Sequence, residues 1–283
     1  MIFVSTSCLR NNKVGDSIKQ LAEIGFQNIE LSGGTSYYAS LESDLLRLQD
    51  KYNLSYRCHN YFPPPEKPFV LNLASSNSTI RQASIDHFKA AITLSKKLGA
   101  NKFGFHAGFF VDIELSEIGK KVERQSLSSK EKAIDRFCDA YFSIQQQQTN
   151  TELFIENNVF SQSNSISYNG KNPFMMTNFD EYLSLREKIN FNLLLDVAHL
   201  KVSSQTLGLN WGQEFQKMME VSSYVHISDN DGCHDLNNAL TKPSEMFSML
   251  KGFDTTGKDF TLEVYDGFSS IEKSYEVLLE AIS

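Results

Sequence analysis

The chain has 283 residues, of which 41% are hydrophobic, so it can bury one sizeable core. Because barrels of about 250 residues often form one domain, we expect a single domain over residues 1–283. The formal net charge of −7 disfavours nucleic acid as a partner, since the surface field repels polyanions. A local basic groove would still be compatible with DNA.

The cysteines and the N-terminus indicate the compartment. Four widely spaced cysteines without a CxxC pair indicate neither a zinc ribbon nor a disulfide framework. The first residues lack the basic start and long apolar stretch of a signal peptide. No run approaches the roughly 20 apolar residues that a membrane helix needs. We therefore expect a cytoplasmic protein with reduced thiols and no membrane partner.

Strand-like and helix-like patterns alternate along the first half of the chain. Three prolines at 63–65 prevent a helix from following the third strand directly, so a long loop is expected there. Predicted strands cover 2–7, 28–32 and 54–62, and predicted helices cover 16–26, 40–52 and 78–98.

The second half continues the alternation and contains two long loops, one through about residue 126 and one at 158–177. Loops of this length in compact domains are usually functional or mobile. We interpret the glutamine tract at 145–148 as a solvated helix end. Predicted strands cover 101–108, 152–158, 191–200, 222–228 and 259–265, and predicted helices cover 129–148 and 269–282. Eight strand patterns separated by helical ones predict a parallel sheet closed into a (β/α)₈ barrel.

Residues that can bind a divalent metal or move a proton follow the apolar runs in a series along the chain. Because the carboxyl ends of barrel strands meet at one face, these side chains are expected to converge there. The series comprises Glu30, His59, His106, Glu156, Asp196, His199, His226, Asp235 and Glu263.

Three carboxylates and one imidazole end the last four predicted strands. Such a set suits Mn²⁺, Mg²⁺, Co²⁺ or Zn²⁺ and leaves coordination positions for a substrate. Taken singly, Glu156 and Glu263 could be solvated strand ends, Asp196 a helix cap and His226 a satisfied buried imidazole. Their common level at the strand ends favours a metal site.

Further imidazoles extend this set. His199 follows Asp196 by three residues, so both reach one site only if the chain turns sharply after the strand. It could contact a substrate hydroxyl or bind a second metal. His59 and His106 end strands three and four, where they are expected to point into the barrel mouth.

The order of these motifs resembles the xylose isomerase-like TIM-barrel superfamily. The segments ELSGG, CHNYF, FHAG, IEN, LDxxH, HISDNDG and LEV occur in family order over nearly the whole chain. That superfamily contains sugar and sugar-phosphate isomerases and epimerases together with endonuclease IV-type apurinic endonucleases. Members are often dimers or tetramers, so the resemblance is compatible with a homo-oligomer and leaves the oligomeric state open.

In the epimerase branch, the resemblance implies one metal held by Glu156, Asp196, His226 and Glu263. The two glutamates there also serve as acid and base on either side of the substrate carbon, and His199 would hold a substrate oxygen. Tagatose epimerase-like members carry an arginine shortly after the strand-seven histidine. Because this chain lacks it, its substrate recognition is expected to differ from theirs.

In the endonuclease branch, the resemblance implies three zinc ions and nine ligands. The eight matching positions are His59, His106, Glu156, Asp196, His199, His226, Asp235 and Glu263. The ninth ligand is the histidine of a D-x-H motif, which here reads Asp235-Leu236-Asn237. Since a neutral amide is a poor zinc ligand, the third zinc site is expected to be weakened or absent.

The sequence therefore favours a divalent-metal-dependent isomerase or epimerase acting on a sugar or sugar phosphate through an enediolate. Its partner would be a small carbohydrate. The alternatives are an abasic-site endonuclease with altered zinc content and a barrel that binds a sugar without turning it over.

Overall fold

Eight parallel strands close into a barrel in sequence order in this computed structural model, which describes residues 1–146 and 151–283. Each strand pairs with the next, and the eighth pairs with the first, so the described sheet has no free edge. The (β/α)₈ prediction is therefore confirmed. The strands are β1 (Ile2–Ser5), β2 (Asn28–Leu31), β3 (Ser55–His59), β4 (Lys102–His106), β5 (Glu152–Glu156), β6 (Asn192–Asp196), β7 (Ser222–Ile227) and β8 (Asp259–Leu262).

Helices surround the barrel and connect its strands. None of the described helices combines the length and apolar character needed to cross a bilayer. The helices are α1 (Val14–Glu23), α2 (Leu41–Tyr52), α3 (Ser78–Lys97), α4 (Lys130–Gln145), α5 (Gln162–Ser167), α6 (Phe179–Arg186), α7 (Val197–Leu207), α8 (Trp211–Val221), α9 (Glu245–Lys251) and α10 (Phe268–Ala281). The last two glutamines of the tract at 145–148 lie outside the described residues.

Most predicted strands extend beyond the observed ones, and two further differences concern the type of element. The sixth strand ends at Asp196, and 197–200, predicted as strand, form the first turn of α7. The Asp196 carboxylate causes this change, because it accepts a hydrogen bond from the His199 backbone N–H at 2.8 Å and caps the helix. The loop predicted at 158–177 contains the short helix α5.

The barrel interior is filled by side chains from alternate strands. At the amino ends of the strands, the Arg57 guanidinium lies between the rings of Phe3 and Tyr224, with centroid distances of 4.1 and 4.3 Å. Asp259 Oδ2 accepts hydrogen bonds from Arg57 at 2.7 Å and Lys102 at 3.0 Å. This charged layer closes the lower end, so the polar residues at the carboxyl ends face an opening on one side only.

The two long loops pack against each other beside that opening. Phe110 N donates to Pro173 O at 2.8 Å, and Met175 N donates to Gly108 O at 3.0 Å. A separate hydrophobic cluster joins the loops, with Phe109, Phe160 and Phe174 among its members. The loops therefore form a wall on one side of the barrel mouth.

Candidate metal centre

The predicted site residues come from the carboxyl ends of consecutive strands. His59, His106, Glu156 and Asp196 are the last residues of β3, β4, β5 and β6, respectively. Glu263 directly follows β8. Register explains the convergence, since His106 pairs with Glu156 and Asp196 pairs with His226 across neighbouring strands.

Glu156 lies at the centre of this arrangement and is buried. Its Oε2 lies 2.7 Å from His59 Nε2 and 3.1 Å from His106 Nδ1. Its Oε1 lies 3.4 Å from His226 Nδ1 and 3.9 Å from His199 Nδ1. One carboxylate therefore contacts four imidazoles.

Glu263, which follows the neighbouring strand β8, also approaches His226. Its Oε2 lies 3.6 Å from His226 Nδ1, and its Oε1 accepts a hydrogen bond from the Ser7 hydroxyl at 3.2 Å. Because Glu156 faces the same ring nitrogen, two carboxylates are brought to one imidazole. The serine was not identified from the sequence, since nothing local to β1 indicates a contact 256 residues away.

A second group forms around His199 because the chain turns at Asp196. His199 Nδ1 lies 2.9 Å from the carbonyl oxygen of Asn157. A carbonyl only accepts, so Nδ1 carries a proton. Nε2 then faces Asp235 Oδ2 at 3.4 Å and Asp196 Oδ2 at 3.8 Å. The structure thus brings Asp196, His199 and Asp235 together, and Asp196 is also the helix cap of the alternative interpretation.

Asn237, at the position of the missing ninth ligand, has a structural contact. Its side-chain amide nitrogen donates to the backbone carbonyl of Glu263 at 3.3 Å, and the residue is buried. This hydrogen bond therefore attaches the loop that contains Asn237 to the end of β8.

Glu30, which belongs to the strand-end series but to none of the predicted ligand sets, is a neighbour of the site. It lies near the end of β2, and its Oε1 is 2.9 Å from His226 Nε2. Its Oε2 accepts hydrogen bonds from the Tyr224 hydroxyl and from Thr261 Oγ1 at 2.9 Å. The sequence signal for this residue is an acidic side chain near the end of a predicted strand.

The electrostatics of the cluster reflect burial opposed by neighbouring charges. Burial raises the pKa of Asp196 to about 7, which His199 partly opposes. Burial would also raise the pKa of Glu156, but His106 and His59 hold it well below its usual range. For Glu263, burial is likewise opposed, chiefly by His226, and the pKa falls to about 2.

Burial and neighbouring charges also shift the pKa values of the imidazoles in opposite directions. Burial lowers the pKa of His106 to about 4. Burial would also lower the pKa of His199, but Asp196 beside it raises that pKa well above the usual range. For His226, burial is opposed chiefly by Glu30, and the pKa is again well above the usual range. The buried carboxylates thus favour the protonated form of His199 and His226.

This donor set fits a divalent cation. Three groups of side chains each bring their ligand atoms within 4.8 Å of one another: Glu30, His59, His226 and Glu263; His59, His106 and Glu156; and Glu156, Asp196 and His199. Several buried atoms lack an aligned hydrogen-bond partner, including His106 Nδ1, His226 Nδ1 and Asp235 Oδ1. Imidazole nitrogens and carboxylate oxygens left in this state are suitable ligands for a metal.

The cluster lies at the bottom of a cavity of about 970 Å³, within the range of small-molecule sites. His106, Glu156, His199 and Glu263 contribute to its lining, whereas Asp196 and His226 lie beneath the surface. The β4–α4 loop supplies a wall that includes Phe109 and Lys120. The site is therefore open to a ligand from one side.

The closed barrel and the cluster at its carboxyl end define a class, the TIM barrels with a candidate metal centre at the mouth. The chain belongs to the family described as xylose isomerase-like TIM barrel, which matches residues 18–281. A search among curated proteins finds no match.

Solved structures of this fold resemble the chain at low sequence identity. A D-tagatose 3-epimerase-like protein is 18% identical, with a TM-score of 0.73 over 99% of this chain and 96% of that one. D-psicose 3-epimerase from Clostridium cellulolyticum is 8% identical, with a TM-score of 0.69 over 100% and 99%. Endonuclease IV from Thermus thermophilus is 12% identical, with a TM-score of 0.62 over 99% and 98%. At these identities the likeness concerns the fold.

Proposed function

We propose that the protein is a divalent-metal-dependent isomerase or epimerase of a sugar or sugar phosphate. The observation that carries this proposal is the approach of two glutamates to one imidazole, with Glu156 at 3.4 Å and Glu263 at 3.6 Å from His226 Nδ1. Both glutamates also line the cavity. Two carboxylates that border one cavity can serve as base and acid in a proton transfer between two substrate positions.

Glu156, Asp196, His226 and Glu263 would hold the ion. When bound, a divalent ion supplies Lewis-acid polarisation of adjacent substrate oxygens, which increases the acidity of the neighbouring C–H bond. The residues Glu30, His59, His106 and Asp235 would surround this set.

Each glutamate then carries out one of the two proton transfers. One glutamate, as the carboxylate, would remove the proton from the carbon beside the carbonyl and give an enediolate. The other, entering the step as the carboxylic acid, would return its proton to the opposite face or to the neighbouring carbon, so that the two glutamates exchange protonation states. His199, which contributes to the cavity lining, would hold a substrate oxygen. The buried setting limits access of water, which strengthens each of these contacts.

An abasic-site endonuclease is the second candidate, and the three potential ligand groups favour it. Two observations weigh against it. Asn237 replaces the ninth ligand and directs its amide nitrogen to a backbone carbonyl. The net charge of −7 also opposes binding of a phosphate backbone.

Proton exchange provides the decisive experiment. We expect Mn²⁺-loaded protein in D₂O to exchange the C–H proton beside the carbonyl in at least one member of a panel of ketoses and ketose phosphates, including D-fructose, D-tagatose and D-psicose, as followed by proton NMR. A chelator should abolish the exchange, and Glu156→Gln should lack it. Glu152→Gln, at the exposed start of the same strand, is the matched control and should retain it.

A parallel assay tests the alternatives. Robust nicking of abasic duplex DNA with Zn²⁺, lost on chelation, would establish the endonuclease and overturn the isomerase. Sugar binding without exchange across the whole panel would instead establish a non-catalytic barrel. Metal content measured on Zn²⁺-saturated protein should be below the three ions per chain that the endonuclease mechanism requires.

A further inference from the structure

Glu30 is a carboxylate enclosed in the barrel interior, with none of its surface exposed. Among the described residues it forms no ion pair with lysine or arginine, and its one imidazole neighbour within ion-pair distance is His226. Burying a carboxylate is costly unless opposite charge and hydrogen bonds compensate for the lost water. The His226 ring, which is also fully buried, faces this carboxylate at 2.9 Å.

The two nitrogens of His226 face different groups. Nε2 lies 2.9 Å from Glu30 Oε1, although its N–H direction is not aligned with that oxygen. Nδ1 faces the opposite way, toward Glu156 and Glu263. Histidines that bind metals commonly use one nitrogen as the ligand while the other faces a carboxylate that fixes the ring. The surroundings of His226 divide its nitrogens in this manner.

Glu30 is itself held in place from two other strands. The Tyr224 hydroxyl and Thr261 Oγ1 both donate to its Oε2. The Tyr224 ring in turn packs against the Arg57 guanidinium at 4.3 Å. These contacts fix the carboxylate with Oε2 occupied and Oε1 directed at His226.

We propose that Glu30 is a positioning residue that holds the His226 imidazole with Nδ1 toward the bound ion, and that it is not a metal ligand. This inference rests on the metal site of the proposed function. It assigns a purpose to a buried charge that the proton-transfer steps do not use.

Calorimetric titration of the full chain with Mn²⁺ tests the proposal. Glu30→Gln keeps the size of the side chain and removes its charge. We expect it to bind Mn²⁺ roughly 10–100-fold more weakly, with the same number of ions per chain as the wild type. The control is Glu214→Gln, a buried glutamate in α8 that accepts from Phe179 N at 2.8 Å. It should bind as the wild type does.

A second measurement separates positioning from general destabilisation. In Zn²⁺-loaded wild type, nitrogen NMR of His226 should show the proton on Nε2, and Glu30→Gln should change that signal. If Glu30→Gln does not fold, Thr261→Val removes one donor to Glu30 without replacing any proposed ligand. It should weaken Mn²⁺ binding roughly two- to tenfold, as expected for one hydrogen bond.

Three results would overturn the inference. Unchanged Mn²⁺ affinity in Glu30→Gln, or in Thr261→Val where that variant is used, would leave Glu30 as a packing residue. Loss of one whole equivalent of bound ion would make Glu30 a ligand. Absence of divalent-ion binding by the wild type would remove the proposed function as well, so the two failures are distinguishable.

Discussion

His59 Nε2 lies 2.7 Å from Glu156 Oε2, although β4 separates the two strands that carry them. This contact occupies one oxygen of Glu156, while the other faces His226. The two oxygens of one carboxylate therefore have different surroundings, one fixed by an imidazole and one directed at the proposed ion. Glu263 shows the same division, with Oε1 bound to Ser7 and Oε2 facing His226.

Removing either carboxylate should abolish turnover. In the proposed mechanism, Glu156→Gln and Glu263→Gln each remove a metal ligand and a proton-transfer group, so we expect the proposed isomerase activity to fall at least about 10²–10⁴-fold. Steady-state assays would measure this, with circular dichroism confirming a retained fold. Near-normal turnover in either variant would contradict the acid and base roles.

Metal binding should stabilise the folded chain. A ligand that binds only the native state at 100 times its dissociation constant adds about 2.7 kcal/mol. Mn²⁺ should therefore raise the Tm by several degrees, and a chelator should reverse the change. Differential scanning calorimetry would measure both. In Glu156→Gln the shift should be smaller, and an equal shift in that variant would place the ion elsewhere.

The fold and most of the cluster could be predicted because both depend on local patterns. Apolar runs that end in an acid or imidazole locate the strands and, through parallel register, their common end. The role that we propose for Glu30 could not be predicted in this way. It depends on contacts with Tyr224 and Thr261, which lie 194 and 231 residues away along the chain. The error at 197–200 has a similar origin, because the apolar pattern continues through a helix whose start is set by the Asp196 cap.

Acid should lower the free energy of unfolding by protonating Asp259, which pairs with Arg57 and Lys102 at the amino ends of the strands. Burial would raise the pKa of Asp259, but Lys102 and Arg57 outweigh it and lower the pKa to about 2. Because this folded-state value lies below the unfolded value near 3.9, the stabilisation is complete above about pH 4 and is lost as pH falls toward 2. We expect a loss of about 2 kcal/mol across this window.

Urea unfolding at several pH values would measure the effect. Asp259→Asn should lack this component of the acid dependence, since the amide does not titrate. Asp135→Asn, which removes an exposed partner of Lys188, is the control. Its free energy of unfolding should depend on pH as that of the wild type does. If the free energy of unfolding of Asp259→Asn depended on pH as in the wild type, other carboxylates would dominate the acid sensitivity of the fold.

Gly104 on β4 should tolerate no side chain, because the barrel interior is filled around it. A Cβ there would lie 2.5 Å from Leu194 Cδ1 and 3.1 Å from His59 Cδ2. Leu194 is fully buried against Phe154 and Tyr224, so it has little room to move. Gly104→Ala is therefore expected to cost about 1–3 kcal/mol of folding free energy.

The same substitution should also weaken Mn²⁺ binding, because the crowded His59 ring contacts Glu156. Denaturant midpoints and calorimetric titration would measure the two effects separately. Gly252→Ala, whose added Cβ would meet its nearest neighbour at 3.5 Å, is the control and should change neither. Lost stability with unchanged Mn²⁺ affinity would mean that Glu156 keeps its position without the support of His59. Loss of both would establish that packing inside the barrel sets the geometry of the centre above it.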